Sequence, residues 1–343
     1  MTTRNLRPDP PDRQDLSAAF GIAVPVAFVS LVQVVFRAAR GNHEFFSSFW
    51  DDVFGLRPSR ELWESVLKPG TPEPHWECRY PTTPPELVPI GDRGVDGAHV
   101  GFVVHAPELD REDYPVGYFC PMDGDGVMLA GCDTRHFVAR RLSYLLGCWR
   151  DYATKTAEET ARSSIIPIGQ DATAIVDSLK KKYTEDEKRY ATVVETMREA
   201  LGVSARPDSE CSWCDGYLPS PTVPQAWSYR CSDDRVGVLA RKRFFAPGPV
   251  LEFEFRTEWR KCLNEARRSS TRGYAATALY YLREARWRSH GVDAQSLLAE
   301  EMALSYEALD RPLFARIVRE LDARNREIES RLGEGSSAEA DDR

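Results

Sequence analysis

The sequence predicts an α+β protein: a mainly antiparallel sheet with packed helices, then an irregular segment, then a C-terminal region of α-helical hairpins. Three observations carry this expectation. Near the start, Phe20, Val24, Phe28, Leu31 and Val35 recur at helical spacing. Short apolar runs punctuated by Gly, Pro and Asp follow, the pattern of strands and turns. From residue 257 onward, apolar stripes recur at three- and four-residue steps, with breaks short enough for helical hairpins.

The elements fall in order along residues 1–343. Residues 1–13 are polar with three prolines and read as a disordered lead-in. Residues 14–150 form the expected α+β domain. Pro25 sits at a tolerated helix-start position, so residues 18–36 read as two short buried helical pieces joined at Val24–Pro25. The prolines at 81, 84, 85 and 89 predict an extended approach to a strand, because prolines at this density prevent a helix. Gly101 to Val104, Val116 to Phe119 and Val127 to Ala130 are strand-like, and Asp123-Gly124-Asp125-Gly126 is a hairpin-turn signal. His136 to Trp149 has a helical pattern. Residues 151–203 read as a polar helical segment with a capping box at Thr184 and Glu187, a stripe of Tyr190, Val194, Met197 and Leu201, and a stop at Gly202. Residues 204–256 are Pro-rich and irregular, with alternating Leu251, Phe253 and Phe255 suggesting a strand. Residues 257–331 carry helical stripes: Ala275, Leu279, Leu282 and Ala285; then Leu297, Leu298, Met302, Tyr306 and Leu309; then Leu313, Ile317 and Leu321. Residues 332–343 read as a disordered tail.

Composition narrows the class. Hydrophobic residues make up 42% and charged residues 29%, a globular balance that permits sizeable cores. The formal net charge of -8 disfavours non-specific nucleic-acid binding by the whole chain. Residues 18–36 carry no charge and approach the length of a membrane span, but Pro25 interrupts them and the preceding acids do not suit a signal peptide. A soluble, cytoplasmic protein without membrane contact is expected. Eight scattered cysteines fit a reducing compartment with mostly free thiols.

Some residues carry chemistry. Cys211-Ser212-Trp213-Cys214 has the spacing with which two thiolates grip one zinc ion, and Cys231 and Cys262 are the remaining downstream candidates. No cofactor is the plainer expectation, with ordinary thiols in an irregular loop. His99, His105, Cys120 and Asp133 contain the residue types of a Cys-His-Asp set, with nothing in their spacing to fix the geometry. Asp123 to Gly126 lacks the further ligands of a calcium loop, so a turn is the better reading. Residues 235–288 hold thirteen bases against five acids, with aromatics interleaved at Phe244, Phe245 and Trp259. Such a stretch suits a nucleic-acid backbone, or more often a solvated helical face. Residues 92–133 hold nine acids against two bases.

The first domain resembles the SUKH superfamily, which includes bacterial toxin-immunity proteins and fungal regulators of cell-wall synthesis. The resemblance lies in Phe20 to Pro25, in Pro84-Pro85-Glu86-Leu87-Val88-Pro89-Ile90-Gly91 after Tyr80, in Asp96 to Phe102, in Pro115-Val116 with Asp123 to Val127, and in Phe137 to Leu146. It implies helices packed on a central, mainly antiparallel sheet, and the binding of another protein, commonly a toxin domain. It implies no catalytic residues. More weakly, Ala275 to Trp287, Ala294 to Leu309 and Leu313 to Ile328 resemble tetratricopeptide-type hairpins in length, without a repeat of about 34 residues.

The expectation is therefore a non-catalytic protein-binding module of the immunity type, in a bacterium. Glu108, Asp110, Glu112, Asp113, Asp123 and Asp125 are the candidate partner-binding residues, facing a basic toxin domain. Two other classes stay open: a scaffold or regulator that binds a cellular protein through its helical hairpins, and a zinc-containing nucleic-acid-associated protein.

Overall fold

The structure is a computed structural model, and it describes residues 6–67, 79–94, 96–109, 111–154, 172–205, 216–251, 258–288 and 292–338. Helix α1 (Arg13–Phe20) is opened by a reciprocal cap. Asp12 accepts from the Asp15 N–H at 2.8 Å, and Asp15 accepts from the Asp12 N–H at 3.2 Å. Two N–H groups that a helix start leaves open are thereby satisfied. Gly21 ends α1 at φ 69°, and Pro25 opens α2 (Val26–Ala39). The uncharged stretch is thus two helical pieces, as its proline predicted. No helix among the described residues is long and apolar enough to cross a membrane.

Helix α3 (His43–Phe49) passes into one π-helical turn at Trp50–Phe54, which stops at Gly55. This places aromatic rings at the centre of the core. Phe28 lies 6.0 Å from Trp50 and 5.1 Å from Phe102, and Phe49 lies 5.3 Å from Tyr190, centroid to centroid.

Strands β1 (Arg57–Pro58), β2 (Leu87–Asp92), β3 (His99–Val103), β4 (Val116–Phe119) and β5 (Met128–Gly131) form one antiparallel sheet in chain order, with α4 (Arg60–Leu67) between β1 and β2. The fold is α+β, as expected. The proline-rich approach to β2 is not helical, but it makes turns instead of the extended run expected, with Thr83 N–H bonded to Tyr80 O at 2.9 Å and Leu87 N–H to Pro84 O at 3.0 Å. Gly101 of β3 has no room for a side chain, since a Cβ would lie 2.3 Å from the Val88 carbonyl oxygen of β2.

The Asp123–Gly126 signal does not close a tight hairpin. The β4–β5 connection spans residues 120–127 and leans on the turn at 232–237, where Val127 N–H bonds Asp234 O at 2.9 Å. The capping-box expectation at Thr184 and Glu187 is also corrected. Helix α5 (Thr134–Thr154) is followed by α6 (Ala172–Leu201), which runs unbroken through both residues. A Ser/Thr-x-x-Glu pattern is compatible with a helix interior, so it marks a start only where the preceding residues leave the helix. The stripe of Tyr190, Val194, Met197 and Leu201 is buried, and Gly202 stops the helix at φ 63°.

The irregular segment contains a hairpin, β6 (Trp227–Arg230) with β7 (Val238–Arg241). Of the strand expected at Leu251, Phe253 and Phe255, Leu251 is exposed coil, and Phe253 and Phe255 lie outside the described residues. Helices α7 (Trp259–Thr271), α8 (Ala275–Arg288), α9 (Val292–Ala308) and α10 (Pro312–Ala338) then pack each on the next. Their apolar stripes are buried or partly buried, except Leu297, which is exposed. Helix α8 is buried nearly all round, including Arg283, Glu284 and Arg286.

The sheet is covered on both faces, and strand alternation sorts the side chains. Val88, Ile90, Val100, Phe102 and Val116 join the main core with α2 and α5. Leu87, Val103 and Phe119 point to the other face, against Val127, Val236 and Trp287.

Buried charges join this second face to the helices. Arg283 donates to Glu86 at 2.6 Å, to Gly237 O at 3.0 Å and to Asp234 from Nε at 3.0 Å. Tyr306 donates to the same Glu86 oxygen at 2.8 Å. Asp234 also accepts from Ser232 Oγ at 2.6 Å and the Val236 N–H at 3.1 Å. Burial alone would depress the Arg283 pKa, but the carboxylates of Asp234 and Glu86 hold it well above its ordinary value.

Removing Arg283 would leave two carboxylates buried and unpaired. Arg283→Ala is expected to lower unfolding free energy by about 3–5 kcal/mol in urea titration. Arg319→Ala, which removes an exposed arginine paired with Glu300 and Glu307, is expected to change it by less than about 1 kcal/mol.

Glu284 supplies a pH test. It accepts from the Asp233 N–H at 2.7 Å, and burial, reinforced by Asp234 and opposed by Arg283, raises its carboxyl from 4.5 to about 8. A folded pKa above the unfolded one contributes stability that is full below 4.5 and lost as pH rises through about 8. Glu284→Gln keeps the acceptor and cannot ionise. Its unfolding free energy relative to wild type is expected to rise by roughly 4 kcal/mol between about pH 5 and pH 9, read from urea titrations at both.

Candidate functional site

The acidic residues singled out in the sequence do not form one surface. Strand β4 separates them: the 104–115 connection lies at its start and the 120–127 connection at its end. Four strand residues span about 13 Å.

At the first end, Glu108 is engaged. Arg311, at the start of α10 and 1% exposed, donates to Glu108 at 2.7 Å and to Leu239 O at 2.5 Å. Asp113 is engaged too. It accepts from Thr134 Oγ at 2.8 Å and the Thr134 N–H at 3.3 Å, opening α5, and burial raises its pKa against these hydrogen bonds. Glu112 is exposed, and Asp110 lies outside the described residues.

At the other end, Asp123 and Asp125 are exposed in the β4–β5 connection. Asp96, exposed in the β2–β3 turn, belongs with them, because Cys120 Sγ reaches Asp96 O at 3.8 Å. None of the three makes a salt bridge within 4.0 Å among the described residues.

The candidate zinc ligands divide. Cys211 and Cys214 lie outside the described residues. Cys231 is exposed just after β6, whereas Cys262 is buried in α7, where burial pushes its thiol up to about 11. A cluster of three or more His, Cys, Asp or Glu suited to a metal does not occur among the described residues.

The Cys-His-Asp types are spoken for elsewhere. His99 is buried with Nδ1 2.9 Å from Gly97 O, and burial lowers its pKa to about 4. His105 is buried beside Tyr229 and falls to about 3, by burial and then by Arg283. Asp133 accepts from the His136 N–H at 2.7 Å in the first turn of α5.

The basic stretch is dispersed as well. Lys261, Arg267 and Arg268 pair with Glu258, Glu301 and Glu265, while Arg283 and Arg286 are interior. Arg241, Lys242 and Arg243 remain exposed at the end of β7.

A cleft opens where the proline-rich approach to β2 meets the C-terminal helices. Its interior has about 20 Å³ of room for the centres of water-sized molecules, and about 390 Å³ counts all empty space out through its open mouth; it is lined by residues 81–85, Asp234, Arg283, Arg286, Trp287, Met302, Val318 and Leu321. Sequence reasoning missed it, although a signal existed. Arg283 and Arg286 each fall four residues after a stripe leucine, Leu279 and Leu282, which places charge on a buried helical face.

Compared with known proteins, the chain matches no family model and no curated relative.

The two acids of the first connection distinguish structure from surface. Glu108→Lys sets a cation against buried Arg311 and is expected to destabilise by about 3 kcal/mol or more. Glu112→Lys is expected to stay within about 0.5 kcal/mol of wild type. Thermal or urea unfolding of both variants checks this.

Proposed function

We propose that this chain is a non-catalytic protein-binding module of the immunity type, which neutralises a basic toxin domain or acts in related regulatory binding in a bacterium. The SUKH resemblance suggests the class, and the α+β sheet agrees with what it implies. The observation that carries the reading is the set of exposed acids Asp96, Asp123 and Asp125 in two adjoining turns at one end of the sheet. Carboxylates held in water by short turns attract a cationic surface over a Debye length of about 10 Å. On a chain of net charge -8, they would steer a basic partner to this end and cover its own anion-binding face.

A second reading, a scaffold that binds a cellular protein through its helices, has its own support. Leu297 and Leu304 stand 48% and 45% exposed, seven residues apart on α9, and so lie along one side of the helix.

The test uses the product of a toxin gene adjacent to the gene for this chain, purified as a basic domain. Association is followed by stopped flow at low and high salt. The triple variant Asp96→Asn, Asp123→Lys, Asp125→Lys is expected to slow association roughly tenfold at low salt, with the difference shrinking at high salt. Asn at 96 tolerates the left-handed φ of 50° there. Unchanged association by the folded variant overturns the acidic surface. Loss of binding in Leu297→Ser, Leu304→Ser instead favours the scaffold.

A further inference from the structure

Helix α8 carries a second interior arginine, Arg286, almost one turn beyond Arg283. It is 8% exposed and lines the cleft between residues 81–85 and helices α8, α9 and α10. Its situation differs from that of Arg283. Its polar contact is the Met302 thioether, with Nη1 at 4.0 Å from Sδ. Among the described residues, no carboxylate lies within the 4.0 Å of a salt bridge. Asp322, the acid that acts on it through space, is already held by Ser296 Oγ at 2.8 Å and Arg326 Nε at 3.2 Å. Asp234, also in the cleft wall, is taken by Arg283.

A guanidinium is a planar fork of five donors that stays charged. Buried without a partner it is costly, and the natural complement is an anion that meets two donors at once. The walls narrow the choice. Pro81, Pro84, Trp287, Met302, Val318 and Leu321 present mostly apolar surface to the cleft. Glu86, Asp234 and Asp322 place three acids close by, with Arg283 already committed to the first two and Arg326 to the third. A dianion such as phosphate would face those acids with one uncompensated cation to hold it. A monoanion with an apolar body matches both the single charge and the walls.

We propose that this cleft is a binding site for a small organic monocarboxylate, whose carboxylate pairs with Arg286 and whose apolar body lies between the proline-rich segment and Trp287, Met302 and Leu321. Such a ligand bridges the approach to β2 and the C-terminal helices. It therefore binds the folded chain alone and raises its stability with concentration. The site is independent of the acidic turns, which lie on other segments.

The test is calorimetric titration and thermal melting of the full chain with benzoate and hexanoate. Benzamide serves as the uncharged counterpart and inorganic phosphate as the competing anion. At least one carboxylate is expected to bind and to raise the melting temperature, with benzamide and phosphate at least tenfold weaker. Arg286→Met is expected to abolish carboxylate binding while melting no lower than wild type in plain buffer, because it replaces an unpaired charge by an apolar chain of similar length. Arg286→Lys, which keeps the charge without the fork, is expected to retain weakened binding. Three results overturn the proposal: no binding of either carboxylate at ~10 mM, weaker than the affinity range of specific small ligands; binding of benzamide or phosphate equal to that of the carboxylates; or undiminished binding by Arg286→Met. If the Met variant does not fold, the wild-type comparison among the four probes decides between these outcomes.

Discussion

One buried guanidinium, that of Arg283, constrains how the rest of the chain assembles. Taking a charge out of water is expensive, and the interior accepts this one because Glu86, Asp234 and the Gly237 carbonyl all reach it. The partners come from two elements: Glu86 from the approach to β2, and Asp234 and Gly237 from the turn between β6 and β7. Tyr306 of α9 completes the arrangement by donating to Glu86. A well-packed apolar cluster in the same place would hold the elements together as strongly. It would not penalise a wrong placement in the same way, since a displaced element here strands a buried charge.

The second constraint is the sheet itself. Its strands are short, and nearly every residue in β2, β3 and β4 is buried. Both faces need cover. Helices α2 and α5 and the aromatic turn at Trp50–Phe54 supply it on one side. The 232–237 turn and Trp287 supply it on the other. The hairpin and C-terminal helices are therefore the second half of the sheet's core. The long connection at 120–127 follows from this, because it is held against the 232–237 turn where Val127 meets Asp234.

Charge shows how far sequence proximity can mislead. Nine acids within residues 92–133 read as one surface. Folding sends Glu108 to Arg311, makes Asp113 the cap of α5, and leaves Asp96, Asp123 and Asp125 in water at the opposite end of β4. The basic stretch of residues 235–288 divides likewise, into surface pairs, exposed cations at the end of β7, an interior network and Arg286 in a cleft. A local run of like charges reports composition; the electrostatic role of each group depends on what the fold sets against it.

The sequence by itself determined what short-range periodicity and punctuation encode. The helix break at Pro25, the absence of a helix before β2, the strands β3, β4 and β5, the stripe on α6 and the C-terminal helices were legible, because their signals repeat within a few residues. A signal that depends on what lies beyond the window misled: Thr184 and Glu187 have the pattern of a helix start and lie inside a helix. The candidate site was less legible than the fold. Its decisive pairs, Arg283 with Glu86 and Tyr306 with Glu86, are 197 and 220 residues apart. No periodicity links residues at such distances. Only the tertiary structure decided which acids are partners and which are surface, and that Arg286 faces a cleft, because burial and Coulomb attraction act through space while sequence patterns act along the chain.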